Sequence, residues 1–327
     1  MALVRDDRDR FAGLVAAAAA ARGLDPSLVE KDYWAVEALR SIHGGFDVRI
    51  GDEDVHIQPI FKGGTSLSKA FGLIERFSED IDLLVPVPFD DPGGYSQAQR
   101  TEVMRATTDA VSASLAIDGQ RKGGRRGVDR HWLYPYVPVG APPDLVGVEP
   151  SIRVEITVMG GMNPRSEQTI SAMVADHATA IDGFPAYDDL TPVTIETLRP
   201  ERTLVEKLAM LHDAAHQALS GESSRLQGSG RHYYDVAMLL RSDSVRSALT
   251  STWVAEIAAD ADRWSGKGNF PFTPRPDDGF AVSPAFTEPA LMDIMTASYT
   301  SALDWVWGDK PSLQTCIATV LEHVSLL

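Results

Sequence analysis

A single cysteine, Cys316, in 327 residues leaves no material for a disulfide framework or a thiolate-rich zinc site. No apolar run approaches the roughly 18 to 20 residues that a membrane-spanning helix requires. The alanine run at 16–21 is short. Asp6, Asp7 and Asp9, interleaved with arginines, precede it, whereas a signal peptide starts basic and free of acids. The segment therefore reads as a first helix, and a cytoplasmic protein is expected. G-x-x-x-x-G-K-[ST] occurs nowhere, which excludes the phosphate loop of ATPases and GTPases. No Ser-His-Asp or Cys-His arrangement is suggested. His212 and His216 are spaced i, i+4, but Asp-Ala-Ala stands between them in place of the glutamate of a zinc-protease helix, so both are assigned to a helix surface. Basic residues are also in deficit. At a net charge of −16, a nucleic-acid partner must be met by a local patch rather than by the field of the whole protein.

What is present is the composition of an ordinary globular protein, 44% apolar and 23% charged, with enough material for one large or two ordinary domains. Helices are expected over 8–22 and over 26–42, the second with Asp25 as N-cap and Pro26 at its first position. A strand over 55–61 runs into Gly63 and Gly64, and a short helix over 65–74 follows. A second strand covers 81–87, a long helix 96–117, and two more strands 131–139 and 152–158. In the last, Ile152, Val154, Ile156 and Val158 face one way and Arg153, Glu155 and Thr157 the other. Strands interleaved with helices point to an α/β or α+β domain over about 45–195. After Pro200 the chain turns mainly helical, with helices over 201–219, from 233 to 240, over 244–264, and around 287–307 and 311–325. A loop is expected at 265–284. Two domains, 1–195 and 196–327, result.

Asp80 and Asp82 flank Ile81 on a strand, so their carboxylates share one face while Ile81 enters the core. Two convergent carboxylates suit Mg²⁺, a hard cation that keeps open positions for phosphate oxygens. Taken alone, the same pair also describes a solvated strand edge. Upstream, Gly63, Gly64, Thr65 and Ser66 form a turn between strand and helix, where backbone N–H groups approach a phosphate closely and hydroxyls add contacts. A plain strand-to-helix turn has the same sequence. Glu155 supplies a third carboxylate if its strand lies beside that of Asp82, as a further metal ligand or as a base toward an attacking hydroxyl; Arg153 shares its face and is a candidate ion-pair partner.

The run F-K-G-G-T-S-L-S-K-A-F-G-L-I-E-R-F-S-E-D-I-D-L at 61–83 strongly resembles the AbiEii/AbiGii toxin family of the nucleotidyltransferase superfamily, which includes the MenT-like toxins. Further matching pieces are E-K-D-Y-W at 30–34, E-R-T-L-V-E-K at 201–207 and R-H-Y-Y-D at 231–235, in the family's order across about 28–240. The resemblance implies a nucleotidyltransferase-fold mixed sheet flanked by helices, with the C-terminal helical domain completing the active site. It implies Asp80 and Asp82 as ligands of Mg²⁺, and Gly63, Gly64, Thr65 and Ser66 as the phosphate turn. Lys207 is implied as the lysine holding the phosphates of an NTP, and Asp235 as a late acidic residue of the site. A leucine, Leu204, stands where an aromatic is common, a departure that bears on packing. The activity implied is transfer of NMP to the 3′ end of tRNA by a toxin paired with an antitoxin protein.

The residues leave open a small-molecule or protein hydroxyl as acceptor, or a non-catalytic nucleotide- or partner-binding module. Ser78, two residues before Asp80, is a candidate regulatory site, because a phosphate there adds nearly two negative charges beside the ligands. Arg121, Lys122, Arg125, Arg126, Arg130 and His131 form the one dense basic cluster, interleaved with three glycines. It reads as a flexible loop able to track RNA phosphates, or equally as a solvated hairpin. Trp132, Tyr134 and Tyr136 follow at strand spacing, as base-stacking or core aromatics.

Overall fold

Pro59 divides the first β segment. Lacking an N–H to donate, it interrupts the strand expected over 55–61. The computed structural model, which describes residues 2–78, 80–88, 94–140, 148–267 and 272–327, accordingly has two strands there. Glu79 of the R-F-S-E-D-I-D run and 268–271 of the expected loop lie outside the described residues.

In chain order the main elements are α1 (Arg8–Arg22), α2 (Pro26–Arg40), β1 (Phe46–Ile50), β2 (Glu53–Ile57), β3 (Ile60–Lys62), α3 (Gly63–Lys69), β4 (Asp80–Leu84), α4 (Gln97–Leu115), β5 (Gln120–Gly123), β6 (Asp129–Pro135), β7 (Ser151–Thr157), β8 (Arg165–Ile170), α5 (Met173–Thr179) and β9 (Val193–Leu198). Helices α6 (Pro200–Leu219), α7 (Ser224–Gln227), α8 (Gly230–Arg241), α9 (Asp243–Ala248), α10 (Ser251–Lys267), α11 (Pro284–Thr287), α12 (Met292–Ala302) and α13 (Leu313–Glu322) complete the chain. The fold is therefore mixed α/β with a helical C-terminal part. Two compact units are present. One comprises Met1–Phe61, Glu79–Val158 and Ser166–Thr197, and the other Lys62–Ser78, Met159–Arg165 and Leu198–Leu327.

The first unit is organised by a seven-stranded sheet in the order β5-β6-β7-β4-β3-β9-β8, with β1 and β2 forming a separate antiparallel pair. Strand β4 runs parallel to β7 and β3 parallel to β9, while β6 is antiparallel to both β5 and β7. Local chemistry sets the helix ends as expected. The Asp25 side chain accepts from Ser27 N–H at the start of α2, and Gly23 closes α1 in the left-handed region at φ 65°. Ser96 and Gln99 form a capping box at α4.

In the second unit, Leu204, Val205, Leu208 and Leu211 of α6 share a core with Tyr233, Val236, Leu239 and Leu240 of α8. The helix expected over 244–264 is broken. Leu249 is buried in the extended conformation, and Thr250 restarts the chain by accepting from Trp253 N–H through its hydroxyl. His212, assigned from sequence to a helix surface, is buried instead. Its Nδ1 lies 2.8 Å from Ser283 Oγ and its Nε2 3.1 Å from the Pro274 carbonyl. Burial, and then the neighbouring His216, draw its pKa down to about 4 against the opposing pull of the Pro274 carbonyl and Asp213. Among the described residues no helix is long and apolar enough to cross a membrane.

Candidate active site

Strand β4 buries Ile81 and Leu83 on one face and leaves Asp80 and Asp82 half-buried on the other, where Leu84 closes the strand buried. Its parallel pairing with β7 sets Asp82 directly across from Glu155 and Asp80 across from Arg153. The next strand places His131 opposite Glu155, with Nδ1 3.8 Å from Glu155 Oε1. Three carboxylates thus share one sheet face over two adjacent strands. Arg153 turns to Asp80, its Nη1 3.1 Å from Oδ1.

The donors that β4 and β7 bring to this face are carboxylate oxygens, the chemistry a hard divalent cation prefers, with the His131 ring beside Glu155. Among the described residues no group of three His, Cys, Asp or Glu is arranged to hold a metal by itself. The donor set fits an ion whose shell is completed by substrate oxygens rather than one caged by protein alone.

The second unit carries the glycine turn and the cationic residues. Gly63 opens α3 at φ 78°, and the Ser66 hydroxyl, fully buried, donates to the Gly63 carbonyl at 2.8 Å. At Gly64 the reason for glycine is different. A Cβ there would stand 2.5 Å from Arg76 Nη2 and 3.2 Å from Ser78 Oγ. Gly64 therefore lets the Arg76 guanidinium lie against the turn.

Arg76, the first residue of the R-F-S-E-D-I-D run, is the residue sequence reasoning passed over. It is buried and bonds Asp235 through both Nε and Nη2, at 2.6 and 2.7 Å. Lys207 Nζ lies 2.7 Å from Asp235 Oδ2 and 3.2 Å from His232 Nδ1. Burial alone would raise the Asp235 pKa, but Arg76 and Lys207 more than reverse this and hold it well below the carboxylate range. Burial pulls Lys207 below the usual lysine range against the attraction of Asp235. Burial and the nearby Lys207 charge push His232 well below its ordinary value. A neutral His232 accepts from Lys207 through Nδ1 and carries its proton on Nε2.

Residues 48–317 match the family described as nucleotidyl transferase AbiEii toxin of type IV toxin–antitoxin systems. The chain belongs to the AbiEii family. No curated protein matches the sequence. Among solved structures it is similar to MenT4, a nucleotidyltransferase toxin from Mycobacterium tuberculosis H37Rv, at 17% identity and a TM-score of 0.48, covering 96% of this chain and 98% of that one. As an AbiEii protein the chain is a toxin-type nucleotidyltransferase.

The other singled-out residues sort by burial. Tyr134 and Tyr136 are core residues, the Tyr134 hydroxyl donating to the Thr108 carbonyl. Trp132 is half-buried beneath Arg130, whose guanidinium carbon lies 4.2 Å from the ring centroid. The basic cluster is not a flexible loop. Arg121 and Lys122 belong to β5, and the turn into β6 is tied to α4. Arg100 Nε donates to the Gly127 carbonyl at 2.8 Å, and the Gln97 amide to the Arg126 carbonyl at 3.1 Å.

Proposed function

We propose that this AbiEii protein transfers a nucleoside monophosphate from an NTP to the 3′ hydroxyl of tRNA and releases pyrophosphate. The observation carrying the reading is the register that sets Asp82 beside Glu155, with Asp80 on the same strand face. Asp80 and Asp82 would hold Mg²⁺, which when bound supplies charge neutralisation to the phosphates. Glu155 accepts the proton of the attacking hydroxyl. The hydroxyl oxygen then bonds to the α-phosphorus while the bridging α–β P–O bond breaks, and the electron pair leaves with pyrophosphate. Gly63, Gly64 and Thr65 line the phosphate turn, and Ser66 supports it from below through its bond to the Gly63 carbonyl. Lys207 brings positive charge to the triphosphate. Asp235 acts by positioning Lys207 and Arg76, with both of its oxygens engaged by them.

An acceptor RNA is supported by the basic cluster of Arg121, Lys122, Arg125 and Arg126, a local exception in a chain of net charge −16. Type IV systems pair a toxin with an antitoxin, and the cognate antitoxin is the expected protein partner. Phosphorylation of Ser78 would set a dianion against the turn that Arg76 and Gly64 build, and would oppose NTP binding.

The test is incubation with α-labelled NTPs, total tRNA and Mg²⁺, with parallel reactions in EDTA. Label at the tRNA 3′ end, lost with EDTA, is expected. Label on protein or a small molecule with none on tRNA would overturn the acceptor. No transfer to any acceptor, with nucleotide binding intact, would make this a binding module.

A further inference from the structure

A cavity of about 260 Å³ opens where the β5–β6 hairpin meets α4, lined by Arg121, Arg125, Arg126 and Arg130, by Asp129, and by Met104. Among the lining residues four arginines stand against one carboxylate, with Asp109 and Glu102 of α4 acting on Arg130 from outside the lining. Asp129 is spent on Arg125, accepting from its Nε at 2.8 Å and from its backbone N–H at 2.7 Å. Arg130 is held face-on to Trp132, and its Nε is shut off from solvent with no acceptor among the described residues. Burial and the charge of Arg121 both oppose the Arg130 cation. Like charges crowded around a hollow in an acidic protein are costly unless an anion is to sit among them.

The hollow is also built rather than incidental. Gln97 and Arg100 of α4 clamp the hairpin turn, so the arginines project from a fixed frame. The volume falls just short of the roughly 300–1,000 Å³ of pockets for drug-sized ligands, as suits a compact anion. Planar guanidinium forks match tetrahedral phosphate oxygens, and four arginines against one lining carboxylate favour an anion of more than one charge.

We infer that this cavity is a phosphate-binding site separate from the nucleotide residues, taking either free phosphate or a backbone phosphate of RNA. It does not depend on tRNA being the acceptor.

The test is calorimetric titration of the full chain with inorganic phosphate at constant ionic strength, for the parent, Arg126→Gln, Arg130→Gln and Asp82→Ala. One site per chain is expected in the parent and in Asp82→Ala, weakened at least tenfold in both arginine variants. Arg126 is exposed, so its variant serves where Arg130→Gln fails to fold. Parent-like binding in Arg126→Gln and a folded Arg130→Gln overturns the site, and so does loss of binding in Asp82→Ala alone, which assigns the phosphate to the nucleotide residues. Competition by an oligoribonucleotide without terminal phosphates, weakened in Arg126→Gln, makes the ligand a backbone phosphate. Phosphate binding without such competition makes it the free anion. Failure of tRNA labelling with phosphate binding intact sinks the proposed acceptor and leaves the cavity standing.

Discussion

Asp235 grips the Arg76 guanidinium with both carboxylate oxygens, at 2.6 and 2.7 Å, across 159 residues of chain, and shares Oδ2 with Lys207. A buried cation left without its partner is worth several kcal/mol. Asp235→Asn should therefore cost about 3–5 kcal/mol of stability, read as a fall in the urea midpoint at unchanged m-value. A loss under about 1 kcal/mol would show that the cluster is hydrated or rearranges.

The same carboxylate fixes an acid limit. Its folded pKa lies below that of an unfolded aspartate, about 3.9. Its contribution is complete above that value and is lost as pH falls below about 4 toward the folded pKa. Stability of the parent should drop between about pH 4 and 2 more steeply than that of Asp235→Asn, in parallel denaturant melts. Equal slopes would contradict a depressed Asp235.

Gly64→Ala places a methyl 2.5 Å from Arg76 Nη2, which Asp235 holds in place. The guanidinium must shift, at a cost of about 1–3 kcal/mol. Measured by thermal unfolding, this cost should shrink in an Arg76→Lys background, where the guanidinium is gone. An unchanged cost would mean that the strain lies elsewhere in the turn.

Asp82→Ala should lower transfer at least 100-fold, equivalent to about 2.7 kcal/mol of barrier. Its half-buried side chain carries little of the core, so stability should change by about 0.5 kcal/mol or less. Near-parent turnover of a folded variant would remove Asp82 from the site.

Lys207→Met separates binding from folding. Asp235 retains Arg76, so this change should cost less stability than Asp235→Asn while raising the KM for NTP about tenfold or more. A variant changed in kcat alone would move Lys207 from substrate binding to another role.

Much of the chain was legible because local rules act within a few residues. Asp25 and Pro26 start α2 where caps and fixed φ direct, and the alternation at 152–158 settles which residues of β7 face the core. The D-x-D pair shares a face for the same reason, a side-chain period of two. Strands β1, β5, β8 and β9 were not anticipated. Strand β8 alternates weakly, and β5 is Gln-Arg-Lys-Gly, whose strand conformation comes from pairing with β6 rather than from its own residues. His212 was misplaced because a helix histidine paired i, i+4 with His216 does not announce the Ser283 and Pro274 partners that make burial tolerable.

The sequence by itself determined the reaction family, the strand bearing Asp80 and Asp82, and the glycine pair before α3. Each depends on residue types at fixed local spacing. Only the tertiary structure decided that Glu155 stands opposite Asp82, since strand order and register are set by pairing between distant segments. It also decided that Gly64 makes room for Arg76 and that Asp235 is an anchor for two cations. Buried charges are tolerable only in pairs, and the partners here come from three separate stretches of chain.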